Sequence, residues 1–314
     1  MIDITLIGTA ALFPLPGRAL TSIYLFCGGR SILFDCGEGT QTAARKAGVS
    51  LMKTDIIALT HYHGDHIFGL PGLLQTLMSQ GRTETLYITG PAGLEAAMQP
   101  ILKLAECTAY EIKLIEIPND GLKISELVKN WAIEAKLSAF KTEHRVPSQG
   151  YCFTLSRAGK FLPQKAQALN IPVNFWGTLQ KGQRVQIGDK IFLPEQVLGE
   201  PRKGLKFVFS GDTVFCNSLI DAAKNADLLI CEGTYGEIEQ AELATEYGHM
   251  NFSQAAQVAK IANVSELWLA HYSQMIRNPL QYLPNATAIF ENTICGVDGM
   301  STTLKFQTPK LDID

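Results

Sequence analysis

The sequence predicts an α/β fold in which sheets are covered by helices, and three observations carry that expectation. Short runs rich in Ile, Leu, Val, Phe and Thr alternate along most of the chain with segments of helical period. No apolar run approaches the ~18–20 residues a membrane span needs, and the densest, 227–231 and 267–270, are strand-sized. The composition, 46% hydrophobic and 18% charged over 314 residues with 27 Gly, is that of an ordinary globular α/β protein and excludes disorder, collagen and coiled coil. A chain of this length buries roughly three quarters of its unfolded surface, so it needs neither disulfides nor repeats for stability.

Strands are expected at 4–8, 22–26, 31–35, 55–60, 86–89, 112–117, 150–155, 206–210, 227–232 and 266–271. Helical patterns fall between them at 70–80, 93–104, 217–226 and 253–262, the last with Ser253 as N-cap candidate and Asn263 at its end. The opening MIDITLIGT has no basic segment and carries Asp3, so it reads as a first strand and not as a signal peptide. One stretch, 157–184, breaks the rhythm with Gly159, Pro163, Pro172 and Gly177, and reads as an excursion from the core. The seven cysteines form no CxxC pair; Cys27, Cys36, Cys152 and Cys231 lie in apolar strands and are expected to be reduced thiols of a cytoplasmic protein. A net charge of −3 argues against a chain that coats itself in nucleic acid and leaves room for a local basic patch.

The strand at 55–60 runs directly into His61-Tyr62-His63-Gly64-Asp65-His66. These residues cannot share one helix face, because His61 and His63 would point about 200° apart. A loop after a strand lets them curl around two cations, with Gly64 expected to supply backbone freedom. Imidazole and carboxylate suit zinc, and the lack of nearby thiol pairs argues against a structural zinc knot. Of six histidines, the other three are His144, His249 and His271, and none looks decorative. His271 stands where an apolar strand ends, the usual place for an active-site loop in an α/β sheet. Asp212, in Ser210-Gly211-Asp212-Thr213, reads by itself as a turn or N-cap residue. Glu232 closes the strand at 227–232, where a hydrogen-bonding role is the plain reading.

HYHGDH resembles the HxHxDH signature of the metallo-β-lactamase superfamily, with His144, Asp212 and His271 following in that superfamily's order. The longer block THYHGDHIFGLPGLL, 60–74, resembles the ribonuclease Z family, endonucleases that remove the 3′ trailer from precursor tRNA. LIGTAALFPLPGRALTSIYL, FSGDTVFCNSLIDAAKNADLLICEGTY and FLPQKAQALNIPVNFWGTLQKGQRV, the last similar to that family's substrate arm, extend the resemblance over nearly the whole chain. It implies an α/β fold of the four-layer αβ/βα sandwich type, as one domain over 1–314 with a protruding arm inserted at about 156–185. Carried over residue by residue, it implies two zinc ions per subunit, with manganese or iron able to use the same ligands. One would be held by His61, His63 and His144, the second by Asp65, His66 and His271, with Asp212 bridging both.

The implied reaction is attack of a metal-generated hydroxide on phosphorus, leaving a 3′-hydroxyl on the tRNA. Asp65 is expected to polarise the attacking water besides binding metal, and His249, oriented by Glu232, to protonate the departing oxygen. Four segments depart from the family pattern: HEAT appears as Cys231-Glu232-Gly233-Thr234 and HST as His249-Met250-Asn251. The PxKxRN-like loop spans 14–19, with Arg18 retained and Ala19 in place of Asn, and the arm's Gly-Pro turn is Val173-Asn174. None removes a metal ligand. Between 153 and 188 stand Arg157, Lys160, Lys165, Lys181 and Arg184 with no Asp or Glu, a candidate phosphate-binding patch to which Arg18 adds a further contact. Phe161, Phe175 and Trp176 are expected to pack the arm's own small core in preference to stacking on bases. The resemblance further implies a homodimer, one subunit's arm gripping precursor tRNA at the other's site. Two other readings are a dizinc hydrolase of a small phosphodiester, sulfate ester or lactone, which needs no basic arm, and a non-catalytic RNA-binding protein, which would leave clustered ligands without partners.

Overall fold

The structure, a computed structural model, describes residues 1–128, 131 and 134–307. Its strands in chain order are β1 (Ile2–Gly8), β2 (Ser22–Cys27), β3 (Arg30–Phe34), β4 (Thr54–Ala58), β5 (Leu86–Thr89), β6 (Ile112–Ile115), β7 (Leu122–Lys123), β8 (Ala135–Lys141), β9 (Gln149–Arg157), β10 (Val185–Ile187), β11 (Lys190–Phe192), β12 (Arg202–Phe209), β13 (Leu228–Glu232), β14 (Leu267–Ala270), β15 (Thr293–Cys295) and β16 (Ser301–Leu304). They form two seven-stranded sheets, ordered β16-β1-β2-β3-β4-β5-β6 and β15-β14-β13-β12-β9-β8-β7, and a separate β10-β11 pair. Both large sheets are mixed. β16, β1, β2 and β3 pair antiparallel, whereas β3 to β6 and β12 to β15 run parallel. Every expected strand forms, β5 with the expected ends and the others with ends shifted. Those not expected, β7, β8, β10, β11, β15 and β16, are mostly short and half-exposed, and so lack a continuous apolar run.

The inner faces meet through aromatic rings: Phe34 of β3 lies 5.6 Å from both Tyr151 of β9 and Phe207 of β12, and 6.1 Å from Phe209. Outside the first sheet lie helices Thr40–Lys46, Leu70–Ser79 and Leu94–Ala105. The middle one buries Leu70, Leu73, Leu74 and Leu77, one stripe of helical period, against Ile57 and Ile88 in the same core. Outside the second lie Asn217–Ala223 and Phe252–Ile261, whose Leu219, Ala255 and Val258 share a core with Leu229 and Leu269. Helix, sheet, sheet, helix is the expected αβ/βα sandwich. The N-cap of Phe252–Ile261 is Asn251, not Ser253: Asn251 Oδ1 accepts from Gln254 N at 2.9 Å, and the Ser253 hydroxyl donates instead to Asn285 O.

Two compact units divide the chain, Met1–Thr154 with the chain from Lys206 onward, and Leu155–Leu205. The second has its own core of Ala166, Ile171, Leu179, Val185 and Val197, against which Phe161, Phe175, Trp176 and Phe192 pack. It runs past residue 185 because Phe192 and Val197 complete that core. The aromatic residues pack as expected, with Trp176 Nε1 donating to Ile171 O at 2.8 Å. Cys27, Cys36 and Cys231 are buried, Cys152 is half-buried, and all seven thiols are free. Among the described residues no helix is long and apolar enough to cross a membrane.

Candidate metal centre

Parallel strands end together at one edge of each sheet, and the polar residues just past those ends converge. His61 and His63 follow β4 in extended chain, whereas Asp65 and His66 ride on a single helical turn, Gly64–Ile67. The expected loop is therefore half loop and half helix. Gly64 also serves a purpose other than the one expected: its backbone is ordinary, but a Cβ there would come within 2.3 Å of the Phe68 ring. Close approach of the exposed Phe68 ring, not left-handed freedom, is what glycine accommodates at that position. Asp212 follows β12 after Gly211, whose φ of +60° turns the chain inward. His271 ends β14 at φ +58°, a left-handed conformation that costs a side chain of its size about 1–3 kcal/mol and marks an over-determined site.

All six histidines gather there. His61 rests 4.1 Å from His66, 4.5 Å from His63 and 5.0 Å from His144 between ring centroids; His249 bridges His144 at 5.0 Å and His271 at 5.5 Å. Among the described residues, five groups of three have ligand atoms mutually within 4.8 Å. Among them are His61, His63, His144 and Asp65, His66, His271, the sets the family resemblance implies, and the others draw in Asp212, His249 and Glu232. Asp212 lies between them, 3.7 Å from His61 Nε2, 3.4 Å from His66 Nε2 and 3.3 Å from His271 Nε2. The Leu12 backbone N–H donates to Asp65 Oδ2 at 2.8 Å.

Behind the ligands stand residues that orient them. Asp35, fully buried at the end of β3, accepts from His66 Nδ1 at 2.8 Å and from the Thr60 amide and hydroxyl at 2.8 and 2.9 Å. Thr60 Oγ1 in turn lies 3.1 Å from His61 Nδ1. His144 Nδ1 donates to Gly248 O at 2.7 Å. On the second sheet Glu232 takes four donors: Thr213 N at 2.7 Å and His249 Nδ1 at 3.0 Å on Oε1, Thr234 Oγ1 at 2.7 Å and Met250 N at 3.0 Å on Oε2. Sequence reasoning found Glu232 but missed Asp35, Thr60 and Thr234. The available signal was the same for both carboxylates, an acid closing an apolar strand.

These bonds set the tautomers. In the neutral form, with Nδ1–H donated to a protein acceptor, His61, His66 and His144 turn an Nε2 lone pair toward the cluster. Burial disfavours charge on His66, but Asp212, Asp35 and Asp65 outweigh it and hold His66 well above its ordinary value, so without a metal ion its Nε2 carries a proton instead. The Nε2 atoms of His66 and His271 are buried and have no hydrogen-bond partner, yet face carboxylates. Buried lone pairs aimed at carboxylate oxygens repel unless a proton or a metal cation lies between them, and a divalent cation satisfies several such pairs at once. The residues present therefore fit divalent metal. Electrostatics agree. Burial opposes ionisation of Asp65 and Asp212, but the surrounding imidazoles, led by His66 for Asp65 and by His271 for Asp212, hold both well below the usual carboxylate range. Burial and then His66 push His61 well below its ordinary value. His249 goes the other way: burial disfavours its charge, but Glu232 outweighs that and raises it to about 9.

The candidate RNA contacts are placed differently. Lys160, Lys165, Lys181 and Arg184 are exposed on the Leu155–Leu205 unit. Arg18 is half-buried, donates to Ile276 O and Arg277 O at 2.8 and 3.1 Å, and lies 5.3 Å over the Tyr272 ring. Its guanidinium thus braces the 14–19 loop against the segment after β14.

A sandwich of two mixed sheets whose strand ends carry a cluster of imidazoles and carboxylates defines a metal-dependent hydrolase of the metallo-β-lactamase superfamily, and residues 16–120 match the model of that superfamily. Curated ribonucleases Z share more. That of Lachnoclostridium phytofermentans is 41% identical, covering 98% of this chain and 99% of the relative, and that of Lachnospira eligens is 42% identical at the same coverage. The crystal structure of human tRNase Z, short form, superposes with a TM-score of 0.67 at 25% identity, covering 97% of this chain and all of that one. The chain belongs to the ribonuclease Z family.

Proposed function

We propose that this protein is an endoribonuclease that cuts precursor tRNA on the 3′ side of the tRNA body, holding two zinc ions through the two triads and Asp212. The observation that carries the reading is the pairing of a cluster of candidate ligands with an imidazole–carboxylate pair beside it, the half-buried His249 on the buried Glu232 at 3.0 Å. His61, His63 and His144 would hold one cation, and Asp65, His66 and His271 the other, with an oxygen of Asp212 available to each. Cations bound there supply Lewis acidity, offsetting phosphodiester charge and lowering the pKa of water.

This chain's own residues do the rest. Asp65, held ionised by its imidazole neighbours, accepts a hydrogen bond from the attacking water. His249, raised to about 9, is protonated at neutral pH, and with Nδ1–H anchored on Glu232 its Nε2–H is left to protonate the departing oxygen. The proton ends on the departing 3′ oxygen, leaving a 3′-hydroxyl on the tRNA body and the phosphate on the trailer, and because water is the nucleophile the ribose 2′-hydroxyl is not consumed. The exposed Lys160, Lys165, Lys181 and Arg184 support a phosphate-binding arm, and we read the protein as a homodimer in which that arm grips RNA bound to the partner subunit. The deciding experiment is cleavage of a 3′-extended precursor tRNA by zinc-loaded protein with product ends mapped. One cut just after the discriminator nucleotide, lost in Asp212→Ala, supports the reading. No cut, beside good turnover of a small phosphodiester, moves the substrate to the small-ester class.

A further inference from the structure

Thr234 is fully enclosed between the proton-donor pair and a metal ligand, and no step above uses it. Its hydroxyl lies 2.7 Å from Glu232 Oε2, 3.1 Å from His271 Nδ1, 3.1 Å from His271 O and 3.4 Å from His249 Nδ1. A hydroxyl has one proton to give and lone pairs to receive with. The short contact to a carboxylate is the charge-assisted one and takes the proton. What remains on Oγ1 is acceptor capacity. His249 Nδ1–H is already committed to Glu232 Oε1 at 3.0 Å, so the nearest donor left for the Thr234 lone pair is His271 Nδ1–H.

We infer that the Thr234 hydroxyl, anchored on the carboxylate that also orients His249, is the positioning group that makes His271 a metal ligand. By accepting from Nδ1–H it excludes the tautomer in which Nε2 carries the proton. The buried, unpartnered Nε2 of His271 then presents its lone pair toward Asp65 and Asp212. Thr60 repeats the arrangement in the first sheet: it donates to Asp35 at 2.9 Å and faces His61 Nδ1 at 3.1 Å. Two ligands are thereby set by a hydroxyl backed by a carboxylate, and one carboxylate, Glu232, serves metal binding and proton donation together.

The inference rests on the metal-site reading, and zinc binding by itself, without RNA, separates the two. Zinc affinity of metal-stripped protein is measured by competition with a chromophoric chelator for wild type, Thr234→Val and Thr234→Ser. Valine matches threonine in shape and removes the hydroxyl; serine keeps the hydroxyl and removes the methyl. The expected result is two zinc ions in wild type, the weaker bound about 10–100-fold less tightly in Thr234→Val, and wild-type affinity in Thr234→Ser. Nitrogen NMR of His271 in the zinc-free protein should show the Nδ1–H tautomer in wild type and Thr234→Ser, and its loss in Thr234→Val. At saturating zinc, Thr234→Val turnover should recover, because His249 keeps its own bond to Glu232. Wild type that fails to bind zinc sinks the metal-site reading. Wild type binding two ions with Thr234→Val unchanged overturns the inference, as does Thr234→Ser weakened as much as Thr234→Val, since the methyl would then be what matters. Should Thr234→Val fail to fold, Thr234→Ser against Thr234→Ala carries the same contrast.

Discussion

The two sheets end in the same small device and put it to different uses. In the first, Asp35 at the end of β3 holds one imidazole directly, His66, and a second, His61, through Thr60. In the second, Glu232 at the end of β13 holds His249 directly and His271 through Thr234. In each the imidazoles come from beyond the strand carrying the acid: His61 follows β4, the parallel neighbour of β3, and His271 follows β14, the parallel neighbour of β13. The difference lies in the imidazole held directly. His66 is buried and its Nε2 faces two carboxylates, so it is placed as a candidate metal ligand. Neighbouring carboxylates raise both imidazoles above their ordinary value, but His249 alone retains some exposure, at 13% of its side chain, so it can give a proton to something arriving from outside. A carboxylate behind an imidazole thus raises ligand basicity in one place and stores a proton in the other, and access decides which.

The sharpest way to break the symmetry is to remove the directly held imidazole of the second sheet. His249→Ala should lower turnover by about 10²–10⁴-fold while zinc content by elemental analysis stays at the wild-type level. Unchanged turnover would leave the second sheet with no donor. The sign of the pH dependence follows from the role: His249 titrates at about 9 in the metal-free site, bound cations lower that, and turnover should fall tenfold per unit as pH rises past the resulting value. The His249→Ala rate should lack that limb.

Asp35→Asn asks the same question of the first sheet. The Asp35 backbone is left-handed, φ +55°, a conformation asparagine tolerates as well as aspartate. The variant therefore tests the acceptor and not the backbone. An amide turns its NH₂ group toward at least one of the donors on Asp35, and zinc affinity should drop about 10–100-fold. Unlike the His249→Ala rate, the lost turnover should return with excess zinc. A rate that stays low would mean that Asp35 does more than orient ligands.

How much of this was legible beforehand varies with distance along the chain. His61, His63, Asp65 and His66 lie within six residues and announce themselves, and with only six histidines in the chain the other ligands had few competitors. Asp212 alone looks like a turn residue; only its place in a family order picks it out. Asp35 and Thr234 carried no such signal, because an acid or a hydroxyl after an apolar strand reads the same whether it meets a turn or an imidazole across the sheet. Gly64 was recognised but misread, since a sequence does not distinguish a left-handed backbone from a crowded one. The sandwich followed from family likeness, while alternation alone indicated only sheets and helices. Edge strands such as β16 (Ser301–Leu304), polar and half-exposed, have no pattern to read.

The smallest expected effect bears on how the second device is assembled. His66 meets Asp35 across 31 positions of chain, carried there by β4, whereas His249 meets Glu232 across 17 positions with no strand to carry it. Asn251 does much of that fastening. It caps Phe252–Ile261 by accepting from Gln254 N at 2.9 Å, donates its own backbone N–H to Gln254 Oε1 at 3.0 Å, and donates Nδ2 to Glu237 O and Ile238 O at 3.1 and 3.3 Å. The family's HST threonine stands where Asn251 does, and both residue types cap helices, so this departure conserves the function of the position. Asn251→Ala should cost about 1 kcal/mol in denaturant unfolding and lower turnover modestly as His249 loosens from Glu232, with zinc affinity unchanged. Ser253→Ala, inside the helix, should do less to both. Equal losses of zinc and turnover in Asn251→Ala would mean that the loop serves the metal ligands as much as the donor, and the division of labour between the two sheets would have to be redrawn.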